Sequence, residues 1–192
     1  MRGLKLGANF IFIDESGFDL LNTNFRVWRS REKDYFSKVG KKERLNLVMA
    51  VNNDRIIHYH LTNENTNSDN FLNFMNELYQ NLNQNEKENS IFIMDNLTSH
   101  LTKPLFEFYY KKKLKVLFNV PYLSKFNMIE ICFRTLKNIT YNKIFANFSE
   151  LKNENKNIIK GDYLNSLLNK LYKEILNNYI NYINDNINLN LK

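Results

Sequence analysis

A lone cysteine, Cys132, in a chain of 192 residues excludes any internal disulfide, and a reducing compartment is the easier setting for such a chain. No apolar run approaches the roughly 20 residues a helix needs to cross a bilayer. The segment from Met1 to Phe10 is basic but has no sustained apolar stretch ahead of a small-residue cleavage site, so no secretory signal is expected. Glycine and proline are scarce, at 5 and 2, and no glycine-rich phosphate-cradling loop occurs. With 1 cysteine and 3 histidines, no Cys or His cluster stands out, and a zinc role is not expected. Self-similarity at a period of about 20 to 50 residues is also missing, which argues against repeat architectures.

What is present is core material and positive charge. The chain is 43% hydrophobic with 15 Phe and 11 Tyr, enough to fill one substantial core. A formal charge of +7 and a pI near 9.3 favour an anionic partner, because clustered Lys and Arg concentrate phosphates and speed encounter. Charge alone leaves nucleic acid, anionic lipid and an acidic protein all open. Asn and Lys recur throughout, a compositional bias that dilutes turn and cap signals, since Asn gains nothing inside helices or strands.

The apolar runs set a rhythm. Residues 9–14, which include Ile11-Phe12-Ile13, read as a strand buried on both faces, with a turn at Ser16-Gly17. Phe25-Arg26-Val27-Trp28 and Leu45 to Val51 read as further strands. Asn52-Asn53-Asp54 then turns the chain into a returning strand from Ile56 to Leu61. Ser68 or Asp69 caps a helix whose stripe is Phe71, Phe74, Met75, Leu78 and Leu82. Ile91 to Met94 is a second buried strand, a short helix begins near Pro104, and Val116 to Val120 is a last strand stopped by Pro121. Strand, helix, strand at this spacing implies a right-handed parallel crossover. Asn127 then caps a helix to about Ile144, with Ile129, Cys132, Leu136 and Ile139 inward and Glu130, Arg134, Lys137 and Tyr141 on an adjacent polar face. The expected fold is α/β: a five-stranded mixed sheet, three antiparallel strands followed by two parallel ones, flanked by helices. Residues 1–148 are expected to form this domain, and residues 149–192 a helical extension with Leu164, Leu167, Leu168, Leu171, Ile175 and Tyr179 at helical spacing.

Three carboxylates sit in three such apolar settings. Asp14 ends Ile11-Phe12-Ile13, Asp95 ends Ile91-Phe92-Ile93-Met94, and Glu130 opens an apolar helical run. A strand too apolar to face water that ends in an acid delivers a fixed negative oxygen to the rim of a core. The first and fourth strands are neighbours in the expected sheet, and the last helix can lay Glu130 across the same opening. All-oxygen ligation favours Mg²⁺ or Mn²⁺ over zinc, and two ions about 3.5 to 4 Å apart would suit phosphodiester chemistry. Asp14, on the central strand, is the acid expected to bridge both ions.

Phe12-Ile13-Asp14-Glu15-Ser16, Ile93-Met94-Asp95-Asn96-Leu97-Thr98-Ser99-His100, and Pro121-Tyr122 through Asn127-Met128-Ile129-Glu130 to Leu136-Lys137 resemble the catalytic domain of the mariner superfamily of DDE transposases. Between Asp95 and Glu130 lie 34 residues, similar to the gap in one large branch of that superfamily. Arg26-Val27-Trp28, Asn46 and Asn70 add weaker agreement, and the likeness runs from about residue 10 to 145. The resemblance implies a ribonuclease H-like fold, a two-metal site carried onto Asp14, Asp95 and Glu130, and cut-and-paste movement of DNA. It also implies double-stranded DNA partners, at transposon ends and target, with a homodimer as a candidate assembly and no membrane. An intracellular location follows: the nucleus in a eukaryote, otherwise cytoplasm or nucleoid. The chain departs from the family in having Met128 where a proline is usual, Leu123-Ser124 where Ser-Pro is usual, and Phe133 where tryptophan is usual. Residues 1–13, ahead of Asp14, hold no counterpart of the family's helix-turn-helix targeting pair.

Around the acids, Glu15 is expected to point to the opposite sheet face from Asp14. Asn96 is a candidate to orient Asp95, with simple turn formation as the plainer role. His100, Arg134 and Lys137 are candidate nucleic-acid contacts, against a satisfied loop histidine for the first and an i,i+4 ion pair with Glu130 for the second. The basic runs Lys111 to Lys115 and Lys38 to Arg44 are further candidates for phosphate contact, against a solvated surface. The rival functions are a non-catalytic, decayed or domesticated DNA-binding remnant and another ribonuclease H-like nuclease, such as a resolvase or ribonuclease.

Overall fold

The computed structural model describes residues 9–20, 44–118, 128–143 and 145–173. Its strands are β1 (Asn9–Asp19), β2 (Arg44–Val51), β3 (Ile56–Thr62), β4 (Ser90–Met94) and β5 (Lys115–Phe118). The helices are α1 (Ser68–Asn81), α2 (Gln84–Asn89), α3 (Lys103–Lys112), α4 (Met128–Tyr141) and α5 (Phe148–Lys160), followed by further helix over 162–173. The expected strand at Phe25–Trp28, the Asn119–Pro121 strand end, the Asn127 cap and most of the Lys38–Arg44 run lie outside the described residues.

The sheet order is β3-β2-β1-β4-β5. β1 pairs antiparallel with β2 and parallel with β4, β2 pairs antiparallel with β3, and β4 pairs parallel with β5. Three antiparallel strands followed by two parallel ones is therefore the arrangement, with β1 central. Its register sets Phe12 opposite Ile93, so Asp14, two residues on, stands level with Asp95 just past β4.

Alternation along β1 sorts its side chains between two cores. Ile11 and Ile13 face one, together with Val48, Ala50, Phe92, Met94, the α1 residues Phe71, Phe74, Met75 and Leu78, and the α3 residues Leu105, Phe108 and Tyr109. Phe18, with Leu45, Leu47, Met49 and Val51, faces the other, covered by Ile129, Cys132, Phe133 and Leu136 of α4. Leu151 and Ile159 of α5 and Leu164 and Leu168 beyond it lie in that same core, so the described part of the segment past residue 148 shares the core of the sheet.

Three local features differ from expectation. Ser16-Gly17 is not a turn: β1 runs through it, Gly17 pairs with Asn46, and the Arg44 guanidinium occupies the space a Cβ at Gly17 would need. The α1 cap is Asn67, whose side chain accepts from the Asn70 N–H, one residue ahead of the expected Ser68. Helix α2 was not anticipated, although Asn83 and Glu86 form a reciprocal capping box. The hairpin turn does hold as read, with Asn52 Oδ1 accepting from the N–H groups of Asp54 and Arg55, each at 2.9 Å.

Candidate active site

The β1–β4 pairing brings Asp14 and Asp95 to one end of the sheet, and α4, lying across β1 and β2, brings in Glu130 from its first turn. The electrostatics of Asp14 report that meeting. Burial raises its carboxyl most, the negative charges of Asp95, Glu130 and Glu15 raise it further, and a hydrogen bond from the Glu15 N–H to Asp14 Oδ1 at 2.7 Å only partly offsets them, leaving a pKa of about 6. An acid held against its own ionisation by burial, and further by nearby carboxylates, is an arrangement that a bound cation would relieve.

Asp95 remains open to solvent, its side chain 43% exposed, and it caps its own turn by accepting from the Leu97 N–H at 3.4 Å. Glu130 is half-buried. Among the described residues, no ion pair joins Glu130 to Arg134, one helical turn on. Arg134 is exposed on α4, and Lys137, half-buried, carries its ammonium 5.7 Å from the centre of the Phe18 ring.

His100 requires a correction. It was considered as a nucleic-acid contact, but its side chain is 0% exposed and stacks on Phe71 with ring centres 3.9 Å apart. Its Nδ1 lies 2.9 Å from Asp95 Oδ1 and its Nε2 3.3 Å from Glu15 Oε1. Burial alone would push the imidazole down, yet the hydrogen bonds to Asp95 and Glu15 and the Asp95 charge outweigh it and hold the pKa at about 9. A side chain so enclosed reaches no phosphate; it braces two carboxylates. Glu15 meets it on the face away from Asp14, as strand alternation requires.

Two other chemistries find no support. Cys132 is buried, and burial pushes its thiol up to about 12, so it is no nucleophile at neutral pH. Tyr109 is likewise lifted by burial, with its hydroxyl 3.6 Å from Met94 Sδ.

Sequence reasoning missed one cluster entirely: His58 and His60 on β3 with Glu77 on α1. The signal was there as His-x-His at strand spacing, which puts both rings on one face. These residues are distinct from the three acids.

Comparison with known proteins follows the same lines. Residues 9–152 match the family model of the DDE superfamily endonucleases. Among solved structures, a pre-cleavage Mos1 transpososome is similar with a TM-score of 0.66 and 14% identity over 88% of this chain and 55% of that one. The Mos1 mariner paired-end complex with Mn gives 0.65 and 16% over 86% and 53%. The catalytic domain of Mos1 mariner transposase gives 0.64 and 15% over 86% and 78%. The chain thus spans about half the length of the transposase chains in the two complexes. No curated protein sequence matches it significantly. At such identities the structural likeness speaks for the fold, which is ribonuclease H-like, while the family match covers most of the chain. By that match, this chain belongs to the DDE superfamily of endonucleases.

Proposed function

We propose that the chain is the catalytic part of a mariner-type transposase, hydrolysing DNA strands and joining them to a target with Asp14, Asp95 and Glu130 as its metal-holding acids. The observation that carries this reading is the half-buried site at Asp14, level with Asp95, where burial first and the charges of Asp95, Glu130 and Glu15 next raise the Asp14 carboxyl to about 6. The donor set fits a hard divalent cation, being all oxygen, anionic and open to solvent at Asp95. Mg²⁺ or Mn²⁺, as a pair of ions, would supply a more acidic water or 3′-hydroxyl and charge neutralisation at the scissile phosphate. Mos1 complexes solved with Mn and with Mg support that choice of ion.

The remaining tasks fall to the protein's own groups. Asp14, fixed on the central strand by its neighbour's N–H, offers the most central carboxylate and is the bridging acid in this reading. Asp95 is held in place by His100, and Glu130 is carried by a helix anchored through Ile129, Cys132 and Phe133. Arg134 and Lys137, on the helix that carries Glu130, are suited to phosphate contact with double-stranded DNA. A paired-end complex and a strand-transfer complex are known for Mos1, and by analogy two copies of this chain would act together on transposon ends.

The test is a set of substitutions. Asp14→Asn, Asp95→Asn and Glu130→Gln should each abolish Mg²⁺-dependent nicking of duplex DNA while leaving gel-shift affinity unchanged. Nicking retained by any one of them removes that acid from the mechanism. A chain that binds DNA without nicking under any divalent cation would instead be a binding remnant. Preference for RNA–DNA hybrids over duplex ends would mark a ribonuclease.

A further inference from the structure

The face of the sheet away from α4 carries a second constellation. β3 is an edge strand, and its His58 and His60 project from one face toward α1, where Glu77 stands opposite. Glu77 Oε2 lies 2.8 Å from His60 Nε2 and 3.2 Å from His58 Nε2. One ligand atom from each residue falls within 4.8 Å of the others. Metal–ligand bonds of about 2.0 to 2.2 Å in a tetrahedral site set ligand atoms roughly 3.3 Å apart, so a small opening of the His60–Glu77 contact would admit an ion.

The ring orientations are built in. Phe74, on α1, packs against both imidazoles, with ring centres 5.0 Å from His58 and 5.5 Å from His60. His58 Nε2 is buried and faces Glu77 Oε2 across 3.2 Å without meeting hydrogen-bond geometry. Its other nitrogen, Nδ1, lies 3.0 Å from the Asn81 side-chain amide. With that amide turned so that its oxygen accepts from Nδ1–H, the Nε2 lone pair is left for a metal, the outer-sphere arrangement that ligating histidines favour. Beside them runs a groove lined by Thr62, Asn73 and Asn76, which gives solvent access.

We propose that His58, His60 and Glu77 form a zinc-class metal site that clamps edge strand β3 to α1. Two imidazole nitrogens and one carboxylate suit Zn²⁺ or Co²⁺ and disfavour Mg²⁺, which separates this site chemically from the all-oxygen cluster of Asp14, Asp95 and Glu130. Such an ion would fasten β3, the outermost strand of the described sheet, to α1.

The experiment uses untagged, chelator-stripped protein titrated with Co²⁺ and then Zn²⁺ in excess Mg²⁺. A visible Co²⁺ absorption band that saturates at one ion per chain, is displaced by Zn²⁺, and persists in an Asp14→Asn/Asp95→Asn double variant is the expected result. His60→Gln and Glu77→Gln, both at accessible positions, should weaken Zn²⁺ binding by about tenfold or more with unchanged far-UV circular dichroism. His58→Gln should do the same. Absence of the band, its loss in the two-acid variant, or Zn²⁺ affinity indifferent to His60→Gln and Glu77→Gln would each overturn the site.

Discussion

His100 Nδ1 lies 2.9 Å from Asp95 Oδ1, joining a fully buried imidazole to a carboxylate that is open to solvent. The distance couples the interior to the candidate active site, and consequences for activity and stability follow.

Truncating this imidazole should impair chemistry beyond its cost in stability. His100→Ala leaves Asp95 unbraced and Glu15 without its partner, so metal-dependent nicking should fall by about tenfold or more. The melting temperature should drop as well. His100→Gln, which can still donate to Asp95, should recover part of the nicking rate; equal loss in both variants would mean that His100 serves packing alone. The pH sign is definite. A histidine raised from 6.5 to about 9 in the fold contributes stability that is complete below pH 6.5 and is lost as pH rises through 9. The gap between thermal melts of wild type and His100→Ala should therefore narrow from pH 6 to 10, leaving the loss of packing on Phe71 at the alkaline end.

Asp14 titrates in the opposite sense. An acid raised from 3.8 to about 6 keeps its proton longer in the folded chain, so the metal-free protein should lose stability as pH rises from about 4 to 6. The corresponding cost is at most on the order of 3 kcal/mol at neutral pH. Asp14→Asn should accordingly raise the melting temperature of metal-free protein at pH 7.5 while abolishing nicking. Stabilisation by Mg²⁺ should be small at pH 5 and large at pH 7.5, since coordination must release the proton. Calorimetry with and without chelator at the two pH values checks both statements.

Arg134 and Lys137 should act on affinity without regard to sequence. Arg134→Ala or Lys137→Ala is expected to weaken duplex binding uniformly and to reduce the slope of log affinity against log salt by about one each. Unchanged slopes would place the phosphate contacts elsewhere.

Leu168→Ala should destabilise the whole domain. The side chain is fully buried in the core that α4 and α5 share with the sheet, so truncation should cost about 2 to 5 kcal/mol and shift a single cooperative transition. A separate, earlier transition would mark the segment past residue 148 as an independent unit.

The strands were legible as apolar runs, whereas such runs allow many orders; the expected neighbourhood of the first and fourth strands is found in the β1–β4 pairing, which sets Asp14 level with Asp95. Glu130 was legible from its place at the head of a stripe containing Ile129, Cys132 and Leu136. Gly17 misled because glycine ordinarily marks a turn, whereas here its missing side chain makes room for Arg44 across the strand pair. Asn67 and Asn83 were hidden as caps by the abundance of asparagine around them. The burial of His100 depends on Phe71, 29 positions earlier in the chain, a contact no local pattern discloses. His58 and His60 were passed over because the third member, Glu77, comes from the next helix.

Asp14 and Glu15 are adjacent in sequence yet serve opposite sides of the sheet, one among the acids beneath α4, the other against the imidazole resting on Phe71. Damage on the α1 side should therefore reach the candidate site: loosening the aromatic bed frees His100, and Asp95 loses its aim. Substitutions at Phe71 of this chain should accordingly be temperature-sensitive, silencing any metal-dependent nicking at temperatures where the chain is still folded.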